Sequence, residues 1–252
     1  MKHQDVDFVI LLTSTIKVRN DVPILNRSNT NTRLSDYQQS LAQWMDEKNT
    51  PKLVFCENSG YDLSSLEKNC RENNPHQKEI EFISFVNNNY PIEFGKGYGE
   101  MNIIEYALKN SRLIHPDSLV IKVTGRLYIA GIGDIIKRIR KRQIADCYCN
   151  MRGNLNWAQS YIFCATVSFI KEYLLPRKHL INDQNEVYFE HVLARAVHAS
   201  LADGKEWSTL PGFLNIKGFS ASSGDNYSRS IISQIKGHLF YHLKIFVMFR
   251  EG

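Results

Sequence analysis

Over the first 142 residues, short apolar runs alternate with stretches of helical periodicity, and this alternation constrains the fold more than any other feature of the chain. The runs are residues 5–15 (DVDFVILLTST), 52–56 (KLVFC), 80–86 (IEFISFV) and 119–123 (LVIKV). Between them, Arg33, Tyr37, Leu41 and Trp44 recur at helical spacing, as do Met101, Ile104, Ala107 and Leu108. Asp62 reads as the N-cap of a helix reaching residue 73, and residues 133–142 as a very basic helix. Strands joined through helices fold as a mainly parallel sheet covered on both faces. The expected fold class is therefore α/β and Rossmann-like. Right-handed crossovers bring the strand ends to one edge, and ligands of such sheets bind beyond those carboxyl ends.

The second half is less regular. Residues 146–151 and 160–166 are strand candidates, and 169–175 a short helix stopped by Pro176. Residues 185–201 carry Phe189, Val192, Leu193, Ala196 and Val197 on one side of an amphipathic helix. Residues 207–227 read as loop and short strand, and 228–250 as a last helical segment. With no internal repeat or linker, residues 1–230 are expected to form a single domain. Residues 231–252 then form a basic, apolar helical tail (LFYHLKIFVMF at 239–249).

Bulk properties exclude several classes. No run of 18 apolar residues is present, so a spanning helix is not expected. The apolar run near the N-terminus is too short for a signal peptide, which makes a cytoplasmic location the expectation. The five cysteines read as free thiols. Cys147 and Cys149 share a strand face, but no second pair at zinc-site spacing accompanies them. A net charge of +5 suits an anionic partner. No nucleic-acid-binding motif accompanies it.

The residues just past the strands supply the chemistry: Thr13-Ser14-Thr15, Glu57-Asn58-Ser59, then Gly95-Lys96-Gly97-Tyr98-Gly99-Glu100, and Thr124-Gly125-Arg126. The GKGYGE segment reads as a glycine-rich turn opening a helix, where backbone amides and Lys96 could meet a phosphate. It lacks the GK[ST] ending of a Walker A loop. A tight turn with Glu100 complementing the helix dipole is the alternative. In KVTGR, Arg126 could grip a diphosphate bidentately, with Lys122 close by; a salt-bridged strand-end turn is the alternative.

This series, TST, Arg33 with Tyr37, CENSGYDL, GKGYGE and KxTGR, resembles bacterial glycosyltransferases of O-antigen and capsule gene clusters, within the GT-A (nucleotide-diphospho-sugar transferase) superfamily. The resemblance covers residues 6–130, and more loosely reaches 230. It implies a GT-A-like fold and a nucleotide-sugar donor. Thr13, Thr15, Glu57 and Asn58 would lie near base and ribose, Lys96, Gly97 and Gly99 near the donor, and Arg126 near the diphosphate. Where many such enzymes carry Asp-x-Asp for a divalent metal, this chain has Thr124-Gly125-Arg126, so the expectation is a site with no metal and no cofactor. Arg33, Glu100, Thr124 and Gly125 complete the expected donor site.

Inverting transfer needs a carboxylate to take the acceptor's proton. Glu190, in VYFEHVLARAV, is the first candidate, with Asp183 and Glu186 as rivals; a solvated helix face is the alternative reading. Lys122 and Arg126 join Glu190 as the expected catalytic set. The acceptor would be a saccharide or lipid-linked glycan. The tail and the basic helix could meet an anionic inner-membrane surface peripherally, or the tail could be a core helix or subunit interface. A non-catalytic nucleotide- or phosphate-binding protein and a nucleotidyltransferase are the competing functions.

Overall fold

The computed structural model describes residues 6–19, 27–142 and 145–219. The expected tail at 231–252, and the last helical segment, lie outside the described residues. Six elements form the first half of the sheet layer: β1 (Phe8–Ser14), α1 (Thr30–Asp46), β2 (Lys52–Glu57), α2 (Ser64–Glu72), β3 (Ile80–Ser84) and α3 (Gly95–Asn110). They are followed by β4 (Leu119–Thr124), β5 (Leu127–Ala130), α4 (Ile132–Arg140), β6 (Cys147–Tyr148) and β7 (Ile162–Thr166). Next comes α5 (Val167–Phe169), which runs on through a π turn and a 3-10 turn to Leu180. Then come α6 (Phe189–Ala202), β8 (Trp207–Ser208) and β9 (Asn215–Gly218).

Seven strands form one sheet in the order β3-β2-β1-β4-β7-β6-β8, and β5 pairs with β9 in a separate antiparallel ribbon. The first four strands are mutually parallel, whereas β7 runs antiparallel to β4. This is the expected α/β class, a mainly parallel sheet flanked by helices.

Every residue of β1 is buried, because β2 and β4 flank it and helices cover both faces. Its side chains alternate between two cores. Val9 and Leu11 join Met101, Ile104 and Ala107 of α3 and Val192, Leu193 and Val197 of α6. Phe8, Ile10 and Leu12 join Tyr37, Leu41 and Trp44 of α1, Leu66 of α2 and Ile132, Ile136 and Ile139 of α4. The exposed positions of α4 carry Lys137, Arg138 and Arg140.

Three expectations are corrected, and one strand is new. GKGYGE is no turn before a helix: α3 begins at Gly95 itself. Pro176 does not stop the helical stretch, because it stands at the start of a 3-10 turn, where its missing N–H costs nothing. The amphipathic helix starts at Phe189 rather than 185, since Glu186 takes a left-handed conformation (φ 58°) inside a small loop closed by Asn182 and Val187. β5 was not anticipated; it is pinned under α1, where Ser40 and the Trp44 indole both donate to the Leu127 carbonyl.

The edge strand β3 is tied to the end of α3 through Glu81. This carboxylate accepts from the Ser111 hydroxyl (2.6 Å) and from the Arg112 amide (3.0 Å) and guanidinium (3.2 Å). Burial opposes its ionisation, but those donors and the arginine charge outweigh it and hold the carboxyl below its ordinary value. A depressed carboxylate contributes stability that is present above its unfolded value, near 4.5, and is lost as pH falls through the lower folded value. Glu81→Gln is expected to lose about 2 kcal/mol at neutral pH and to flatten the acid limb of a urea-midpoint-versus-pH curve. An unchanged curve would contradict this account.

Candidate active site

A cleft of about 240 Å³ opens at the carboxyl edge of the parallel strands. Its walls come from several parts of the chain. Thr13, Ser14 and Thr15 end β1; Arg33 and Tyr37 stand on the first turns of α1; Lys96, Gly97 and Glu100 lie on α3; Thr124 and Arg126 follow β4. The far wall is Ser160, Tyr161, Asp183, Tyr188, Phe189 and Glu190. Ser160 and Tyr161 arrive there because β7 is antiparallel: its first residue, Ile162, pairs with Val123 near the end of β4. The Tyr161 carbonyl accepts from the Thr124 amide at 3.0 Å.

At one side, Arg33 is fixed by three bonds. Its Nε donates to the Thr15 carbonyl (2.7 Å), and its other nitrogens donate to the Arg27 carbonyl (3.1 Å) and the Tyr37 hydroxyl (3.1 Å). Tyr37 in turn receives the Thr15 amide. Arg126 donates from Nε to the Phe219 carbonyl (2.9 Å), and its two Nη atoms carry no hydrogen bond among the described residues. Burial, with the positive charge of Arg33 among the further causes, lowers its pKa from the ordinary arginine value. Arginine stays protonated nonetheless. Two neighbouring guanidiniums in a partly buried cleft are under-compensated positive charge, which favours an anion.

The floor is different. Lys122, fully buried on β4, places Nζ 2.6 Å from Glu100 Oε1 and 2.7 Å from the Ser160 carbonyl. Glu100 also accepts from the Thr13 hydroxyl at 2.7 Å. Burial disfavours its charged form, yet Lys122, Thr13 and Arg126 together hold the carboxyl below its ordinary value. Lys122 and Glu100 therefore neutralise each other beneath the cleft. Lys122, expected in the catalytic set, does not line the cleft, and its charge is already matched by Glu100.

At the other side, Glu190 lies in the first turn of α6 and accepts from the Ser160 hydroxyl at 2.6 Å. Asp183 caps the start of α3, its carboxylate accepting from the Lys96 amide; burial raises its pKa, and Lys96 partly offsets that. Gly95 makes room for it, with φ 65° and a hypothetical Cβ only 1.8 Å from Asp183 Oδ2. Glu186 is exposed and does not line the cleft.

Of the residues expected at a donor site, Thr13, Thr15, Arg33, Lys96, Gly97, Glu100, Thr124 and Arg126 line this cleft. Glu57, Asn58, Gly99 and Gly125 do not. Glu57 is wholly buried and turns inward to accept from the Ile16, Ser59 and Tyr61 amides (2.9, 2.9 and 3.0 Å), so it shapes the strand-end loops. Asn58 Oδ1 is taken by the Thr15 hydroxyl (2.6 Å), and its amide donates to the Asn87 carbonyl. Gly99 is required by packing: a Cβ would fall 2.2 Å from the Tyr90 hydroxyl oxygen. Gly97 is pressed against Phe189 and Ile181, and Gly125 against the Thr13 carbonyl. Hence Gly95 and Gly99 serve packing, while Gly97 both packs against Phe189 and lines the cleft. Ser160, Tyr161 and Tyr188 were not singled out from sequence. Only the antiparallel pairing of β7 and the loop before α6 bring them here.

The fold is similar to that of solved nucleotide-sugar enzymes. The glycosyltransferase GlyE of Streptococcus pneumoniae superimposes with a TM-score of 0.46 at 8% identity, over 82% of this chain and 46% of that one. A nucleoside-diphosphate-sugar pyrophosphorylase from Vibrio cholerae gives 0.45 at 8% identity, over 80% and 91%. Mouse xyloside xylosyltransferase 1 gives 0.39 at 9% identity, over 78% and 83%. No family model and no curated protein matches the chain.

Proposed function

We propose that this chain is a glycosyltransferase. It would move a sugar from a nucleotide-diphosphate donor to a hydroxyl of a saccharide or lipid-linked glycan, of the kind assembled into O-antigen, capsule or lipopolysaccharide. One observation carries the reading: two guanidiniums, Arg33 and Arg126, and a serine-held carboxylate, Glu190, line the same strand-end cleft. The arginines suit the negative charge of a diphosphate, and the Nη pair of Arg126, unbonded among the described residues, suits bidentate contact.

In the inverting form of the reaction, the acceptor oxygen bonds to the anomeric carbon. The bond from that carbon to the distal phosphate oxygen breaks, and its electron pair leaves on the nucleoside diphosphate. The acceptor's proton passes to Glu190. In this reading the guanidiniums supply the charge stabilisation that a divalent metal supplies elsewhere. Among the described residues, no grouping of three His, Cys, Asp or Glu side chains is arranged to hold a metal. No described helix is long and apolar enough to cross a membrane. The exposed basic residues of α4 suit peripheral contact with the anionic inner face of a cell membrane.

Calorimetry against UDP, GDP and CMP without magnesium tests the donor side. One nucleotide is expected to bind, and Arg126→Ala to weaken it roughly 10- to 100-fold, the worth of a charge-assisted pair. Equal affinity in the variant would remove the diphosphate assignment. Binding with no hydrolysis or transfer of any donor sugar would instead favour a non-catalytic nucleotide-binding protein.

A further inference from the structure

Because β6 and β7 are antiparallel neighbours, the connection between them turns back at the edge where the cleft opens. It closes through a bridge between Met151 and Ala158 and through the Arg152 amide donating to the Trp157 carbonyl (2.9 Å). Two bonds fasten it to α6. The Ala158 amide donates to the Glu190 carbonyl at 3.1 Å, and His198 Nε2 pairs with the Leu155 carbonyl at 2.8 Å. The hairpin is therefore built onto the turn that carries Glu190.

Its residues have an unusual make-up for a connection. Residues 152–156 are exposed and include Arg152, Asn154 and Asn156. The half-buried Trp157 follows, with the Arg152 guanidinium 4.3 Å from its ring centroid. The indole lies 6.0 Å from Tyr188 and 4.9 Å from His191, both edge to face. Tyr188 lines the cleft two positions before Glu190. Neither Trp157 nor Tyr188 belongs to either hydrophobic core, so packing of the sheet does not account for them.

We infer that Trp157, Tyr188 and the hairpin's polar side chains form the acceptor subsite, and that its ligand is a pyranoside. The inference rests on the glycosyltransferase reading and adds the substrate class that Glu190 would deprotonate. A pyranose ring presents a face of C–H groups, which lies against an aromatic surface. It also presents a rim of hydroxyls, which needs planar amide and guanidinium partners. The hairpin offers both, and through Trp157 it meets Tyr188, which lines the same cleft as the two arginines assigned to the diphosphate. A donor held there would point its sugar toward Glu190, and the acceptor hydroxyl would approach from the Tyr188 side.

Saturation-transfer NMR on the full chain tests this with methyl glycosides of glucose, galactose, N-acetylglucosamine and glucuronic acid as probes. At least one is expected to give a signal that falls about fivefold or more in Trp157→Ala and survives in Arg126→Ala. Nucleotide binding by calorimetry should be unchanged in Trp157→Ala. Should that variant not fold, the exposed pair Asn154→Ala with Asn156→Ala replaces it, with the same loss expected. No signal from any glycoside, or a signal indifferent to these changes, overturns the inference. A Trp157-dependent glycoside signal in a protein that binds no nucleotide would uphold the subsite and remove the donor reading instead.

Discussion

Replacing Glu100 by glutamine is expected to cost about 3 kcal/mol or more of stability, because it strands a buried ammonium. Lys122 is wholly buried between β1 and β7, and among the described residues the carboxylate 2.6 Å away is its only ion-pair partner. The remaining contacts of Nζ, the Ser160 carbonyl and the Thr124 hydroxyl, are neutral. The reciprocal change, Lys122→Met, should cost less. The Glu100 side chain is 21% exposed and keeps the Thr13 hydroxyl, so its charge can draw on solvent. The double variant should recover much of the loss, with a coupling of about 2 kcal/mol in a urea-unfolding cycle. The sign with pH follows from the depressed carboxyl of Glu100. Its contribution is present above the ordinary carboxylate range and disappears as pH falls through the lower folded value. Strictly additive single variants would mean that the pair is not the unit described here. The pair also has a functional corollary. Since the floor is charge-balanced, the double variant should leave anion affinity nearly intact, whereas Lys122→Met alone leaves the Glu100 carboxylate unneutralised beneath the cleft and should weaken it.

Those two groups also illustrate what a sequence can disclose. DVDFVILLTST, KLVFC and LVIKV are legible as strands because a parallel strand buried on both faces must be apolar almost without interruption. Their order in the chain then brings Thr13, Thr124 and Arg126 to one edge, and Arg33 with them, since α1 follows β1 directly. The lysine inside LVIKV was visible, but not its orientation, and a strand-end cation reads as a ligand contact unless its partner is known. Glu100 is twenty-two positions away on a different element, and nothing local links the two. The direction of β7 is equally silent. IFCAT is apolar whether it pairs parallel or antiparallel, yet only the antiparallel choice places Ser160 and Tyr161 in the cleft. GKGYGE misleads for another reason. Glycines that admit Tyr90 and Phe189 against α3 have the same spelling as glycines that admit a phosphate.

Glu190→Gln is expected to lower transfer by about a hundred- to ten-thousand-fold while sparing nucleotide affinity. Glutamine keeps the shape of the side chain and can still accept from the Ser160 hydroxyl, now at 2.6 Å from Oε1. The backbone of residue 190 remains tied to Ala158. What disappears is the capacity to take a proton, so the loss should fall on kcat and leave KM for the donor in place. Asp183 is the rival, since it lines the same cleft and burial raises its pKa. Its carboxylate is engaged, however, by the Lys96 amide at the start of α3. Asp183→Asn keeps an oxygen that can accept from that amide and should therefore leave transfer and thermal stability nearly unchanged. The two variants separate the assignments. A fully active Glu190→Gln beside an inactive but folded Asp183→Asn would move the base from α6 to Asp183, beside the head of α3 on the same wall of the cleft.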